Sequence, residues 1–207
     1  MLFTNFPDLF VVDTFLTINS PSKGIYTEKR SKFLAFAFPV YSIDEIKEKI
    51  QEYKKKYYDA RHLCYAYMIG EERTTYRAND NGEPSGTAGK PILGQINSNN
   101  LTNILIIVVR YFGGIKLGTG GLIVAYRAAA AEAIANAEIV EKHVEMEMKF
   151  KFEYNYMNDV MKIIKEENPK IVEQLFDNNC VMTIRIRKDS VNVVKQRLEK
   201  VNSLTFV

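Results

Sequence analysis

The chain has 207 residues, enough for one large domain or two small ones with buried cores. Hydrophobic residues make up 46% and charged residues 26%, with only 6 prolines, which excludes a predominantly disordered chain. A net charge of +3, spread over both halves, excludes a nucleic-acid module defined by bulk charge alone.

From the start, "MLFTNFPDLFVVDTFLTI" is apolar but has no basic lead-in and is interrupted by Pro7, Asp8 and Asp13, so a signal peptide is not expected. No apolar run reaches the roughly 18 residues needed to span a bilayer. A cytoplasmic protein with no membrane partner is the expectation. "DTFLTI" and "KFLAFAFPV" alternate as strands. "SIDEIKEKIQEYKKKY" places Ser42 at a helix cap with Glu45 three residues on, then Ile43, Ile46 and Ile50 at helical spacing.

"ARHLCYAYMIG" reads as a strand with Arg61, Leu63, Tyr65 and Tyr67 on one face and His62, Cys64, Ala66 and Met68 on the other. "EERTTYRANDNGEPSG" is an exposed strand or hairpin ending in turn residues. "SGTAGKPILGQINSNN" holds a short helix with Pro91 in its first turn. "NILIIVVRYF" is the most apolar segment and reads as a central strand covered on both faces. A helix follows the glycines and runs to about Ala137.

From His143 the pattern changes. "VEMEMKFKFEYN" alternates strictly, "MNDVMKIIKEE" is a helix stopped at Asn168-Pro169, and "KIVEQLF" and "CVMTIRIR" are strands joined at Asp177-Asn178-Asn179. A helix capped by Ser190 and a last strand, "SLTFV", complete a β-α-β-β-α-β order, the ferredoxin-like pattern. Cys64 and Cys180 lie in apolar surroundings as reduced, packed thiols, with no disulfide framework or metal-ligand spacing.

Chemistry concentrates in one place. Nine of the 11 glycines fall between Gly82 and Gly121, and no acid occurs from Pro84 to Ala131, where Lys90, Arg110, Lys116 and Arg127 supply four positive charges. The stretch "RYFGGIKLGTGG", with Gly113, Gly114, Gly118, Gly120 and Gly121 before a helix, has two readings. It is an anion cradle of backbone amides and cations, or it is a tight connection that needs residues without a Cβ. Neither a Walker loop nor a dinucleotide fingerprint is present.

A second polar group, His62, Asp80, Glu83, Ser85 and Thr87, offers the residue types of a metal or acid-base site. With one histidine in this half, a solvated or structurally hydrogen-bonded loop is the favoured reading, and no catalytic constellation is expected. "KKKYYDARHLCYAY" reads as an exposed helix end above core tyrosines, with base stacking as the alternative. In the last third, Lys149, Lys151, Arg185 and Arg187 alternate outward among Glu145, Glu147 and Glu153, a pattern of cross-strand ion pairs or of an RNA surface.

"EKRSKFLAFAFPV", "ARHLCYAYMIG", "NDNGEPSGTAGKPIL" and "VVRYFGGIKLGTGGL" resemble the linked motifs of the YigZ/IMPACT family, over roughly residues 20 to 130. The resemblance implies an α+β protein. Residues 1–140 would have the fold of the second domain of ribosomal small-subunit protein five, and residues 141–207 would form a ferredoxin-like βαββαβ domain resembling domain five of elongation factor G. The family's polar and glycine residues fall here on His62, Asp80, Glu83, Ser85, Gly86, Thr87, Gly89, Arg110, Gly113, Gly114, Lys116, Gly118, Gly120 and Gly121. One position departs: the family's usual Arg after "GGL" is Val124, with Arg127 three residues on.

The best-described eukaryotic member regulates translation by binding an activator of a stress kinase, and elongation factor G contacts the ribosome through this pair of folds. The expectation is therefore a non-catalytic, RNA- or ribosome-associated factor that regulates translation, with no cofactor and no metal. The alternatives are an enzyme acting on a phosphorylated small molecule and a protein-interaction module of translational stress control.

Overall fold

The computed structural model describes residues 13–177 and 179–207. The apolar opening read against a signal peptide therefore lies outside the described residues up to Val12, as does Asn178 of the turn after Asp177. The described chain forms two compact units, residues 15–142 and residues 143–207 together with Asp13 and Thr14. Among the described residues, no helix is long and apolar enough to cross a membrane.

The first unit is built on a five-stranded sheet. Its strands are β2 (Ser22–Glu28), β3 (Ser31–Pro39), β4 (His62–Ile69), β5 (Thr75–Asn79) and β6 (Ile104–Tyr111), in the spatial order β2-β3-β6-β4-β5. All four neighbouring pairs are antiparallel. The expected central strand, β6, is central, and Ile104 through Val109 are wholly buried. Both faces are apolar because both are covered, which is why this strand does not alternate.

One face carries Phe33, Ala35, Ala37, Cys64, Ala66, Ile106 and Val108 beneath α2 (Gly89–Ser98) and α3 (Gly118–Ala135). Ala125, Ala129, Ala130 and Ala133 are fully buried, so the alanines of α3 bring its backbone close to the sheet. The other face packs Phe36, Phe38, Leu105, Ile107 and Val109 against Ile46, Ile50 and Tyr53 of α1 (Ile43–Lys56). The Ser42 cap forms as expected, with its hydroxyl accepting from the Glu45 amide at 3.2 Å, while the Glu45 carboxylate reaches back to the Tyr41 amide at 2.7 Å.

Two strands were not foreseen. β2 is a sheet edge with alternate residues exposed, and β7 (Ile139–His143) pairs with β1 (Thr14–Ile18) in a separate two-stranded ribbon. β2 buries Ser22 and Gly24 while Ile25 faces out, and β7 is short and partly wet, so neither carries an apolar alternation that sequence pattern can detect.

The second unit runs β8 (Glu145–Glu153), α4 (Met157–Glu167), β9 (Lys170–Leu175), β10 (Asn179–Arg187), α5 (Val191–Leu198) and β11 (Thr205–Phe206), in the expected element order. Its antiparallel sheet has the order β11-β8-β10-β9. Phe150, Phe152, Cys180, Met182 and Ile184 pack under Val160, Ile163, Ile164, Val194 and Leu198 of the two helices. Asn168 ends α4 in the left-handed region at φ 48°, as the Asn-Pro pair suggests. Ser190 stands at the start of α5 but does not cap it: its hydroxyl bonds Asp189 instead.

A fully buried β6 residue beneath α2 and α3 carries the first unit's core. Ile106→Ala is expected to lower that unit's stability by about 2–5 kcal/mol, read from its urea unfolding transition.

Candidate functional site

The strand period of β6 places Arg110 on the same face as Ile106 and Val108, beneath α3. Across the strands it lies beside His62 of β4 and Phe33 of β3. A guanidinium there must be neutralised, because burying an unpaired cation costs several kcal/mol. Glu83 does this, with Arg110 Nη1 donating to its Oε1 at 2.7 Å and both side chains more than nine-tenths buried. The same oxygen accepts from the Tyr126 hydroxyl of α3 at 2.9 Å. Cys64 Sγ lies 3.4 Å from that hydroxyl and 2.9 Å from the Asp80 carbonyl oxygen. Burial pushes the Cys64 thiol up to about 12, so it is an inert packing group. Burial likewise raises the Tyr126 hydroxyl, keeping it protonated as a donor.

Asp80 organises the loop that delivers Glu83. Its carboxylate accepts from the backbone amides of Gly86, Ala88 and Gly89 at 2.8–2.9 Å. Burial alone would raise its pKa, but these three donors and the nearby Lys90 charge outweigh burial and hold the carboxyl below its usual range. Asp80 thus fills the capping role at the start of α2 that no adjacent side chain provides. Thr87 turns its hydroxyl onto the Pro84 carbonyl, and Ser85 is exposed in the turn. Asp80, Glu83 and Thr87 are thus each hydrogen-bonded within the fold; among the described residues no cluster of three potential metal ligands occurs.

The glycines are needed for two different backbone reasons. A Cβ at Gly113 would stand 2.0 Å from the Arg30 backbone, so that glycine is required by packing, whereas Gly118 has φ 71° and no atom crowding it. α3 begins at Gly118 with no side-chain cap and no acid in its first turn. The amides of Gly118, Thr119 and Gly120 therefore lack intrahelical acceptors, and the helix presents its positive end.

That end opens on a pocket of about 350 Å³. Arg61, His62, Arg110 and Lys116 line it together with Phe112, Leu117 and Thr119, and its one carboxylate is the Glu83 already paired to Arg110. Arg110 Nε is buried without a hydrogen-bond partner. Its guanidinium carbon sits 5.5 Å from the Phe33 ring centre and 5.6 Å from that of Phe112. His62 Nδ1 lies 3.1 Å from the Asn81 carbonyl, which can only accept, so Nδ1 carries a proton and Nε2 is left for the pocket.

Of the expected anion residues, the pocket thus gathers Arg110, Lys116 and Gly118, and adds His62 and Glu83 from the polar group. Lys90 and Arg127 are exposed and outside its lining, and Gly113, Gly114, Gly120 and Gly121 also lie outside it. Val124, 55% exposed, also lies outside it. Sequence reasoning missed Arg61 and Phe112 as pocket residues and Tyr126 as the third member of the buried ion-pair network. One signal was present for Arg110: its parity with Ile106 and Val108 makes it inward-facing, and so in need of an acid.

In the second unit the charges pair across strands, with Arg185 2.7 Å from Glu147 and Lys149 3.9 Å from Glu173. Arg197 of α5 bridges Glu166 and Glu167 of α4.

These features define a two-unit α+β protein whose first unit carries a cation-lined pocket at an uncapped helix end. The Impact N-terminal domain model matches residues 29–134, and the chain belongs to the IMPACT family. It is 30% identical to IMPACT family member YvyE of Bacillus subtilis over 186 residues, spanning 90% of this chain and 86% of that protein. It is 44% identical over 109 residues to an IMPACT family member of Thermus thermophilus, covering 53% of this chain and 58% of that protein. A crystal structure of a hypothetical protein superposes with a TM-score of 0.76 at 26% identity, covering 95% of this chain and 98% of that one.

Two measurements check this geometry. Removing one partner of the buried pair, as in Arg110→Met or Glu83→Met, is expected to cost about 3–5 kcal/mol. The double variant should recover much of that loss, a coupling that denaturant titration reads directly. Asp80 gives a pH dependence. Its folded pKa is depressed, so its stabilising effect is present above the ordinary value of about 4 and is lost as pH falls through the lowered folded value. Asp80→Asn should lower stability at pH 7 by about 1.5–3 kcal/mol and flatten the acid limb below pH 4. An unchanged acid limb would contradict this role.

Proposed function

We propose that the protein is a non-catalytic factor of translational control that binds RNA, on or off the ribosome, through a phosphate held at the start of α3. The observation that carries this reading is the pocket itself. Three cations, the buried Arg110 among them, and a helix N-terminus without a cap converge where the one acid is already neutralised. Phosphate oxygens satisfy all of them at once. Family membership supplies the link to translation, through the family's eukaryotic member.

The reading takes the first unit as the fold of the second domain of ribosomal small-subunit protein five. It takes the second as a ferredoxin-like domain, with which the order β11-β8-β10-β9 agrees. In the second unit Lys149 and Arg185 are engaged by neighbouring carboxylates, which favours the first unit as the RNA contact. A protein in this role would act in the cytoplasm.

The test is the salt dependence of binding to a short single-stranded RNA, followed by fluorescence anisotropy. Lys116→Glu, an exposed substitution, should weaken binding several-fold or more and lower the slope of log affinity against log salt by about one. Unchanged affinity and slope would refute the reading.

A further inference from the structure

We infer that the α3 pocket recognises a terminal phosphomonoester of a nucleotide, the group carried by the end of a single-stranded RNA and by a free mononucleotide, in preference to an internal phosphodiester. The inference deepens the reading of this site as phosphate-binding and rests on it.

Charge is the first argument. The lining holds Arg61, Arg110 and Lys116 against the single carboxylate of Glu83, a net charge of +2 before the positive end of α3 is added. A phosphomonoester approaches a charge of −2 near neutral pH, whereas a diester carries only −1. The monoester matches the lining, and the diester leaves cations uncompensated. Arg61 and Lys116 make no ion pair with any described residue, so neither charge is already spent.

Shape is the second. At about 350 Å³ the cavity stands at the lower end of the range that holds one small ligand, roughly 300–1,000 Å³. Its most deeply buried cation, Arg110, is 6% exposed. An internal phosphate that reached Arg110 would have to bring a ribose in on each side. A terminal phosphate enters with a single ribose behind it.

The third is the set of unmet donors. Arg110 of the lining has its Nε without a hydrogen-bond acceptor, and the amides of Gly118 and Thr119 beside it are uncapped. A terminal phosphate offers three non-bridging oxygens to the helix amides and the lining cations where a diester offers two. Phe112, 46% exposed with the Arg110 guanidinium against it, supplies an aromatic surface for the attached base.

The experiment uses the full chain and a hexanucleotide RNA in three forms, bearing a 5′-phosphate, a 3′-phosphate or neither. Binding about tenfold or more tighter for a phosphorylated form than for the hydroxyl-ended form is expected. Arg61→Ala and Lys116→Ala, both at exposed positions, should abolish that preference, with circular dichroism confirming the fold. Adenosine 5′-monophosphate, with adenosine as its control, separates the two sources. If it displaces the phosphorylated RNA, free nucleotides share the site; if it does not, the site reads RNA ends, and either result sustains the inference. Equal affinity for all three hexanucleotides, still weakened by Lys116→Glu, would overturn the inference and leave the RNA reading standing. Absence of binding by every probe would overturn both.

Discussion

The buried pair between Arg110 and Glu83 is the constraint on which the first unit depends. A cation at the end of the central strand, facing the alanine-rich helix, cannot remain in that layer without an acid beside it. Glu83 comes from the loop after β5 and Tyr126 from the middle of α3, and Arg110 and Tyr126 each donate to the same Glu83 carboxylate oxygen within 3 Å. Three segments far apart in sequence are thereby fixed to one point. Such a pair adds little net stability over apolar residues of equal volume, but it specifies geometry, since either partner alone is expensive to bury.

Specified geometry is what the pocket requires. Asp80 uses its carboxylate to hold the amides of Gly86, Ala88 and Gly89, and so fixes the loop that carries Glu83. Gly113 lets the chain after β6 pass against the Arg30 backbone, and the turn through Gly118 then starts α3 with its amides bare. The acids of this region are both committed inward, Asp80 to amides and Glu83 to Arg110. The outward-facing balance is therefore positive although the whole chain carries only +3. Local distribution of charge, not its total, makes the site.

Much of the framework was legible because apolar periodicity reports burial. The strand faces of β4, the central position of β6, the α1 cap and the order of elements after His143 all followed from spacing. The edge strands β2 and β7 did not, since partly exposed short strands leave no such trace. The candidate site was legible as a region and not as an arrangement. The acid-free interval pointed to the start of α3, but it weighted Lys90 and Arg127 equally with Lys116, and only the first turn of the helix decides which cations share its mouth. The polar residues after β5 had the composition of a metal or acid-base site. What separates that from a capping loop is the direction of Asp80 toward backbone amides, which composition does not encode. Family membership leaves the chemistry of the site to be argued from its residues.

The central claim is that phosphate sits on the bare amides of α3. Amide chemical-shift mapping of the full chain during titration with a 5′-phosphorylated RNA hexanucleotide tests it most directly. The account predicts that the largest changes fall on Gly118 and Thr119. Shifts confined to the sheet of the second unit, or to the tyrosines beside α1, would contradict it.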